Sequence, residues 1–186
     1  LHPAGLAAAE IARDLAPDDG SAILVLAGPG NNGGDAFIAA VQLKAWWHRV
    51  DVVFTGDPAQ LEADALAAYQ AWIDDGGVCL DAIPEHRRWG LVIDGLFGIG
   101  LTRPLEGAYA ELVIQANGLG VPILALDIPS GLNADSGHAM GPVIRAAHTV
   151  TFLALKPGLL TGDGPDHSGN IWLRTLGMDT QLLCAP

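Results

Sequence analysis

At 186 residues the chain has room for about one domain of typical size and buries enough surface to fold without a metal or disulfide staple. Half of its residues are hydrophobic and only 16% are charged, which excludes a disordered chain. A net charge of −12 repels a phosphate backbone and so speaks against nucleic-acid partners, although local backbone N–H groups can still hold small anions.

The mean hydropathy of +0.32 makes a membrane span worth testing. No uncharged run exceeds fifteen residues; one of that length, Leu112 to Leu126, has Gln115, Asn117, two glycines and a proline inside it. That is short of the roughly 20 apolar residues a spanning helix needs, so no membrane partner is expected. Cys79 and Cys184 show no pairing pattern and the six histidines form no ligand-spaced pair, as expected for a cytoplasmic protein without structural zinc. The chain opens on Leu1 without a signal-peptide pattern, and we read it as one domain over 1–186 that belongs to a longer polypeptide.

In chain order, Gly5–Leu15 reads as a helix with Ala7, Ile11 and Leu15 along one side. Ala22–Ala27 (AILVLA) is an unbroken apolar run between Ser21 and Gly28, the pattern of a strand covered on both faces. Phe37–Trp47 follows as a helix, Val50–Phe54 as a strand, and Pro58–Asp75 as an Ala-rich helix that stops at Gly76-Gly77. Leu91–Ile93, Pro122–Leu126 and Thr149–Leu153 read as further buried strands, with Glu106–Asn117 as the helix between the first two; Ile171–Leu173 reads as an edge strand. Strands alternating with helices imply βαβ units. The expected fold is α/β, a Rossmann-like three-layer αβα sandwich around a mostly parallel central sheet. Trp46, Trp47 and Trp72 are expected in the core or at a subunit contact of a homo-oligomer.

In such sheets ligands bind beyond the carboxyl ends of the strands, and three of those ends carry unusual loops. Gly28-Pro29-Gly30-Asn31-Asn32-Gly33-Gly34-Asp35 matches G-x-G-x-x-G between a strand and a helix. Its glycines permit positive φ and close backbone approach, and the helix start favours an anion. The fingerprint is only half satisfied, because Asp51 opens the second strand where an acidic residue should close it. The plain alternative is a Gly-rich turn in which Asp35 caps the helix. After Ile93 comes Asp94-Gly95-Leu96-Phe97-Gly98-Ile99-Gly100-Leu101-Thr102-Arg103-Pro104. An Asp directly after a buried strand is costly unless hydrogen-bonded or bound to a cation, and Arg103 has the chemistry to meet a phosphate; a turn cap and a solvated arginine are the alternative. After Leu126, Asp127-Ile128-Pro129-Ser130 places a third Asp, followed by a hydroxyl; a simple Asx turn is the alternative. Asp35, Asp94 and Asp127 crowded at one rim repel one another and call for a proton or a cation. Asp94 with Asn32 and Ser130 as neutral oxygen donors makes a plausible cation site.

Gly28–Asp35 (GPGNNGGD), Asp94–Gly107 (DGLFGIGLTRPLEG), Asp127–Gly137 (DIPSGLNADSG) and Thr151–Gly164 (TFLALKPGLLTGDG) together resemble the YjeF N-terminal family, the NAD(P)HX epimerases, in order over nearly the whole chain. The resemblance implies an isomerase that interconverts the R and S forms of hydrated NADH or NADPH (NADHX, NADPHX) at C6, as part of cofactor repair. It implies a potassium ion held by Asn32, Asp94 and Ser130. It implies substrate contacts at Asn31, Asn32, Gly33, Gly34 and Asp35, at Gly98, Ile99, Gly100, Leu101, Thr102, Arg103 and Pro104, and at Tyr109 and Asp127. It also implies an ADP- or ATP-dependent dehydratase partner, covalently linked or separate. The chain departs from the family at Ala36, usually glycine, and at Gly56, near which the family's animal members carry a lysine implicated in catalysis. Inverting the hydroxyl-bearing carbon needs a group that gives and takes a proton, and the expected acid/base is Asp127, with Asp35 second. Lys156 stays open between a structural, a phosphate-binding and a catalytic role. Two rivals are a non-catalytic scaffold on the same fold and an ordinary NAD-dependent oxidoreductase; the second lacks both the acidic end of strand two and a recognisable catalytic set.

Overall fold

The computed structural model describes residues 3–177, so Leu1, His2 and Cys184 lie outside it. Its seven strands form one sheet, every pair parallel. They are β1 (Ala22–Ala27), β2 (Val50–Val53), β3 (Cys79–Leu80), β4 (Trp89–Gly95), β5 (Ile123–Leu126), β6 (His148–Phe152) and β7 (Asn170–Arg174), in the order β3-β2-β1-β4-β5-β6-β7. The chain walks outward from β1 to β3, then returns to the far side of β1 to begin β4. That reversal opens a crevice between the carboxyl ends of β1 and β4, where sheets of this kind bind ligands.

Alternate strand residues feed two different cores, which is what makes β1 and β4 apolar on both faces. Ile23, Val25, Leu91 and Ile93 pack under α1 (Pro3–Leu15), α2 (Asn31–Ala45) and α3 (Ala63–Asp74). Leu24, Leu26, Val92 and Ala125 pack under α4 (Gly107–Gly118) through Leu112, Val113 and Ala116. Phe37 of α2 is fully buried and meets Phe54 and Tyr69 edge-on, with ring centroids 5.6 and 5.5 Å away. A small third cluster, Ile128, Leu132, Val143 and Leu159, pins the loops after β5 and β6 together. The short α5 (Gly164–Ser168) then leads into β7, anchored where Thr149 Oγ1 donates to the Ser168 carbonyl at 2.7 Å.

The α/β sandwich expected from the sequence is the fold observed, with differences at element ends. The second helix starts at Asn31, not Phe37, so Asn31–Asp35 form its first turns. Pro58–Asp75 is two pieces: a 3-10 turn over Pro58–Gln60, capped by Asp57 Oδ1 accepting from Ala59 N at 2.9 Å, and then α3. β3 and α5 were not expected; each is too short for periodicity to register. Among the tryptophans, Trp72 is buried, Trp46 lies under the Arg13 guanidinium, and Trp47 is 94% exposed. Among the described residues no helix is long and apolar enough to cross a membrane.

Candidate active site

The glycines of the first loop serve contact, not turning. None of Gly28, Gly30, Gly33 and Gly34 has positive φ, contrary to the sequence expectation. A Cβ on Gly28 would stand 1.6 Å from the Leu96 carbonyl oxygen, and one on Gly33 would stand 1.9 Å from the Gly28 carbonyl oxygen. A methyl at either place forces backbone apart, so β1, the β4 loop and the start of α2 can meet only through hydrogen atoms. The N-cap of α2 is Gly30, and Asp35 lies five residues inside the helix; it is no cap. With no side chain capping that end, the first N–H groups of α2 favour an anion placed before them.

Asp94 lies within β4, where its backbone pairs with Leu26 on one side and Ala125 on the other. Its carboxylate is fully buried. It accepts from Ser130 Oγ at 2.6 Å, Ser130 N at 2.8 Å and Leu96 N at 3.3 Å. Ser130 Oγ in turn accepts from Phe97 N at 2.9 Å, so one hydroxyl ties the β4 loop to the β5 loop. Burial pushes the Asp94 carboxyl up to about 6, and the hydrogen bonds from Ser130 and Leu96 only partly offset it. The cause is desolvation; repulsion from the other rim carboxylates, which the sequence reading invoked, is not among the causes. Asn32 is buried beside Gly98, whose Cβ would lie 3.5 Å from the amide carbon of Asn32, and its Nδ2 has no hydrogen-bond partner among the described residues. The Asp94 carboxylate, paired with no cation among the described residues, is bonded to the Ser130 hydroxyl, and the buried Asn32, beside Gly98 of the β4 loop, adds an amide Oδ1 on the neighbouring loop. The donor set, hard and oxygen-rich, fits a weakly charged cation.

Asp127 ends β5 in an unusual conformation. Its φ is +66° and Ile128 N donates to the Leu126 carbonyl at 2.8 Å, a γ-turn centred on the aspartate. One strand over, Leu153 has φ +66° and Ala154 N donates to the Phe152 carbonyl at 2.8 Å, the same turn again. The two turns bring Asp127 to Lys156, whose Nζ ion-pairs with Asp127 Oδ1 and also donates to the Phe152 carbonyl at 2.7 Å. Thr151 Oγ1 and Phe152 N reach the same Oδ1, each at 3.3 Å. The rim therefore carries a cation of its own. The sequence left Lys156 open; the signal that finds it is that β5 and β6 are neighbours, so the loops following their carboxyl ends meet.

These groups enclose a cavity of about 590 Å³ at the β1/β4 crevice. Asn31, Asn32, Asp35, Gly98, Ile99, Gly100 and Asp127 of the expected contacts line it, and Glu62, Phe152 and Lys156 line it too. The other expected contacts lie elsewhere. Gly33 is packed on Gly28, and Gly34 on Ala65 of α3, at 3.2 Å from where its Cβ would be. Leu101 is buried in the α4-side core, Tyr109 packs edge-on against Phe97 at 4.9 Å, and Thr102, Arg103 and Pro104 are exposed, outside the lining. Asp94 and Ser130 sit just beneath the lining, against Leu96 and Phe97.

Comparison with known proteins places this geometry among relatives. The family described as YjeF-related protein N-terminus matches residues 1–158. The NAD(P)H-hydrate epimerase of Bordetella pertussis is 45% identical over 97% of this chain and 80% of its own length. That of Achromobacter xylosoxidans is 46% identical over 94% of this chain and 84% of its own. The bifunctional NAD(P)H-hydrate repair enzyme of Escherichia coli is 40% identical over 96% of this chain, but that match spans 35% of the enzyme. The crystal structure of the yeast protein ynu0 is similar with a TM-score of 0.70 at 22% identity, over 83% of this chain and 70% of that one, a likeness of fold.

Proposed function

The chain belongs to the YjeF-related N-terminal family, and from that premise we propose that it is an NAD(P)H-hydrate epimerase, an isomerase acting on the R and S forms of hydrated NADH and NADPH at C6. The observation that carries the reading is the cavity itself. At the β1/β4 crevice it gathers an uncapped helix start suited to a diphosphate, a glycine loop from β4, and Asp127 with Lys156. The substrate's diphosphate lies toward Asn31 and Asn32, and its hydrated ring toward Asp127.

Epimerisation at C6 removes a hydroxyl or opens the ring, then restores the bond from the other face. Asp127 serves as the group that takes and returns a proton at that carbon, and Asp35 stands across the same cavity as the second carboxylate. Asn32, Asp94 and Ser130 are the residues that would hold a potassium ion, which would balance the charge of the buried Asp94 and fix the three loops relative to one another. The S form passes to an ADP- or ATP-dependent dehydratase, on the same polypeptide or a separate one. The oxidoreductase reading loses its last support at Asp51. That carboxylate accepts from Arg87 Nε at 2.7 Å and from Arg87 Nη2 at 3.1 Å, and it sits at the amino end of β2, away from the crevice.

The test is direct. The isolated R form is incubated with the protein, and its approach to the R/S equilibrium is followed by chromatography against a protein-free control, because the substrate also epimerises unaided. Acceleration over the control is expected; binding without acceleration would make the chain a scaffold.

A further inference from the structure

Of the residues lining the cavity, Lys156 is the one that is cationic, and its placement is built by the fold. Pro157 follows it and holds Lys156 extended, at φ −86° and ψ 133°. Gly158 N then donates to the Ala134 carbonyl at 2.7 Å, and a Cβ on Gly158 would stand 2.1 Å from the Asn133 carbonyl oxygen. The Lys-Pro-Gly segment is thus clamped to the loop that also carries Asp127. Two γ-turns with positive φ at non-glycine residues, Asp127 and Leu153, complete the arrangement. Each stores strain of about 1–3 kcal/mol, which persists where surrounding structure enforces a functional geometry. Stability does not explain this investment, since a partly buried ion pair returns little net stability.

Resting on the epimerase reading, we propose that Lys156 is the proton donor of the reaction, a catalytic residue alongside Asp127. An ammonium carries three protons. Asp127 Oδ1 and the Phe152 carbonyl engage two of them, and the third has no partner among the described residues while the side chain lines the cavity. Lys156 Nζ donates to Asp127 Oδ1, so a donor and an acceptor for one reaction sit in contact. In the first step Lys156 Nζ gives a proton to the C6 hydroxyl. The C6–O bond breaks, water leaves with the bonding electrons, and the N1 lone pair forms N1=C6, leaving a cationic ring beside the Asp127 carboxylate. Water then attacks C6 from the opposite face. Its proton passes to Asp127 and from there to the neutral Lys156 amine, which restores the pair. Every proton and electron pair returns to its starting place and no further reactant is consumed. The other charged groups of the lining are Asp35 from α2 and Glu62 before α3, both acidic, so neither replaces the donor as a cation.

The test compares wild type with Lys156→Arg and Lys156→Met in R-to-S progress curves, with thermal unfolding of each to confirm folding. Arginine keeps the charge and the ion pair but does not give up its proton. Both variants are expected to lose about 10²–10⁴-fold in kcat with KM little changed. Wild-type kcat in Lys156→Arg would overturn the assignment, since charge alone would then suffice. A raised KM at unchanged kcat in Lys156→Met would overturn it too, by making the lysine a substrate anchor. If Lys156→Met fails to fold, Lys156→Arg alone decides. A wild-type protein that binds hydrated cofactor without epimerising it fails differently: that outcome overturns the epimerase reading, and the donor role with it.

Discussion

The buried Asp94 carboxyl makes stability depend on pH and, if the proposed potassium site is right, on potassium as well. In the unfolded chain the group titrates near 3.8, and in the folded protein burial raises it to about 6. Below pH 3.8 both states carry the proton and the group contributes its full stability. Between 3.8 and 6 the unfolded chain ionises first, so stability falls as pH rises, and above 6 the loss is complete. At 1.36 kcal/mol per pKa unit the loss amounts to about 3 kcal/mol. On the proposed site, a potassium ion against Asp94, Asn32 and Ser130 would favour the ionised form and offset that loss to an extent set by its concentration and affinity. For a chain of this length 1 kcal/mol moves Tm by about 2–4 °C, so offsetting the whole of it corresponds to about 6–12 °C. The assay is thermal unfolding in potassium chloride against tetramethylammonium chloride at equal ionic strength, from about pH 4 to 8. Comparing the two salts at each pH cancels every other titrating group. The potassium increment should be near its maximum above pH 6 and close to zero at pH 4. An increment independent of pH, or one undiminished in Asp94→Ala, would refute the reasoning.

Three further outcomes are expected. Asp127→Asn keeps the size of the side chain but removes its proton acceptor, so kcat should fall by about 10²–10⁴-fold with little change in binding; full activity there beside a dead Asp35→Asn would exchange the two roles. Gly28→Ala puts a methyl 1.6 Å from the Leu96 carbonyl oxygen, and because backbone has to move, a loss of about 1–3 kcal/mol is expected in urea unfolding, with weaker substrate binding. Phe37→Ala opens a cavity between Phe54 and Tyr69 and should cost about 3–5 kcal/mol of stability in urea unfolding.

What the sequence made legible follows from which signals are local. AILVLA at Ala22–Ala27 is apolar throughout because both faces of β1 are covered, and an Asp ending such a run at Asp94 is conspicuous without any structure. The helix start was misplaced because Gly33 and Gly34 look like loop residues; only three-dimensional contact shows that they are there for close packing against Gly28 and Ala65. Cys79–Leu80 pairs through two residues and has no period to detect. Lys156 was undecidable for a related reason. Its partner Asp127 is 29 positions earlier, and the contact exists only because β6 lies beside β5 and both leave the sheet through γ-turns. Arg103 and Tyr109 show the converse: family likeness marks them as contacts, while here one is exposed and the other is packed on Phe97.

The division of labour along the sheet follows from its topology. A dinucleotide held as a redox coenzyme is gripped on the β1–β2 wing, where an acidic side chain closing β2 takes the ribose. In this chain that position offers only Phe54, Thr55 and Gly56, and Gly56 is pressed so close to the Phe54 ring that a Cβ would stand 2.7 Å from it. Two linked constellations lie on the opposite wing, at the carboxyl ends of β4, β5 and β6: Ser130 with Asp94, and Lys156 with Asp127. On the proposed function, a ligand whose diphosphate met the start of α2 would turn its nicotinamide end toward the β5–β6 loops, where Asp127 and Lys156 line the cavity. One crevice thus holds two polar constellations: Ser130 bonded to Asp94 and to Phe97 N, which ties the β4 and β5 loops together, and the Asp127–Lys156 pair in the cavity lining, where the proposed chemistry is placed.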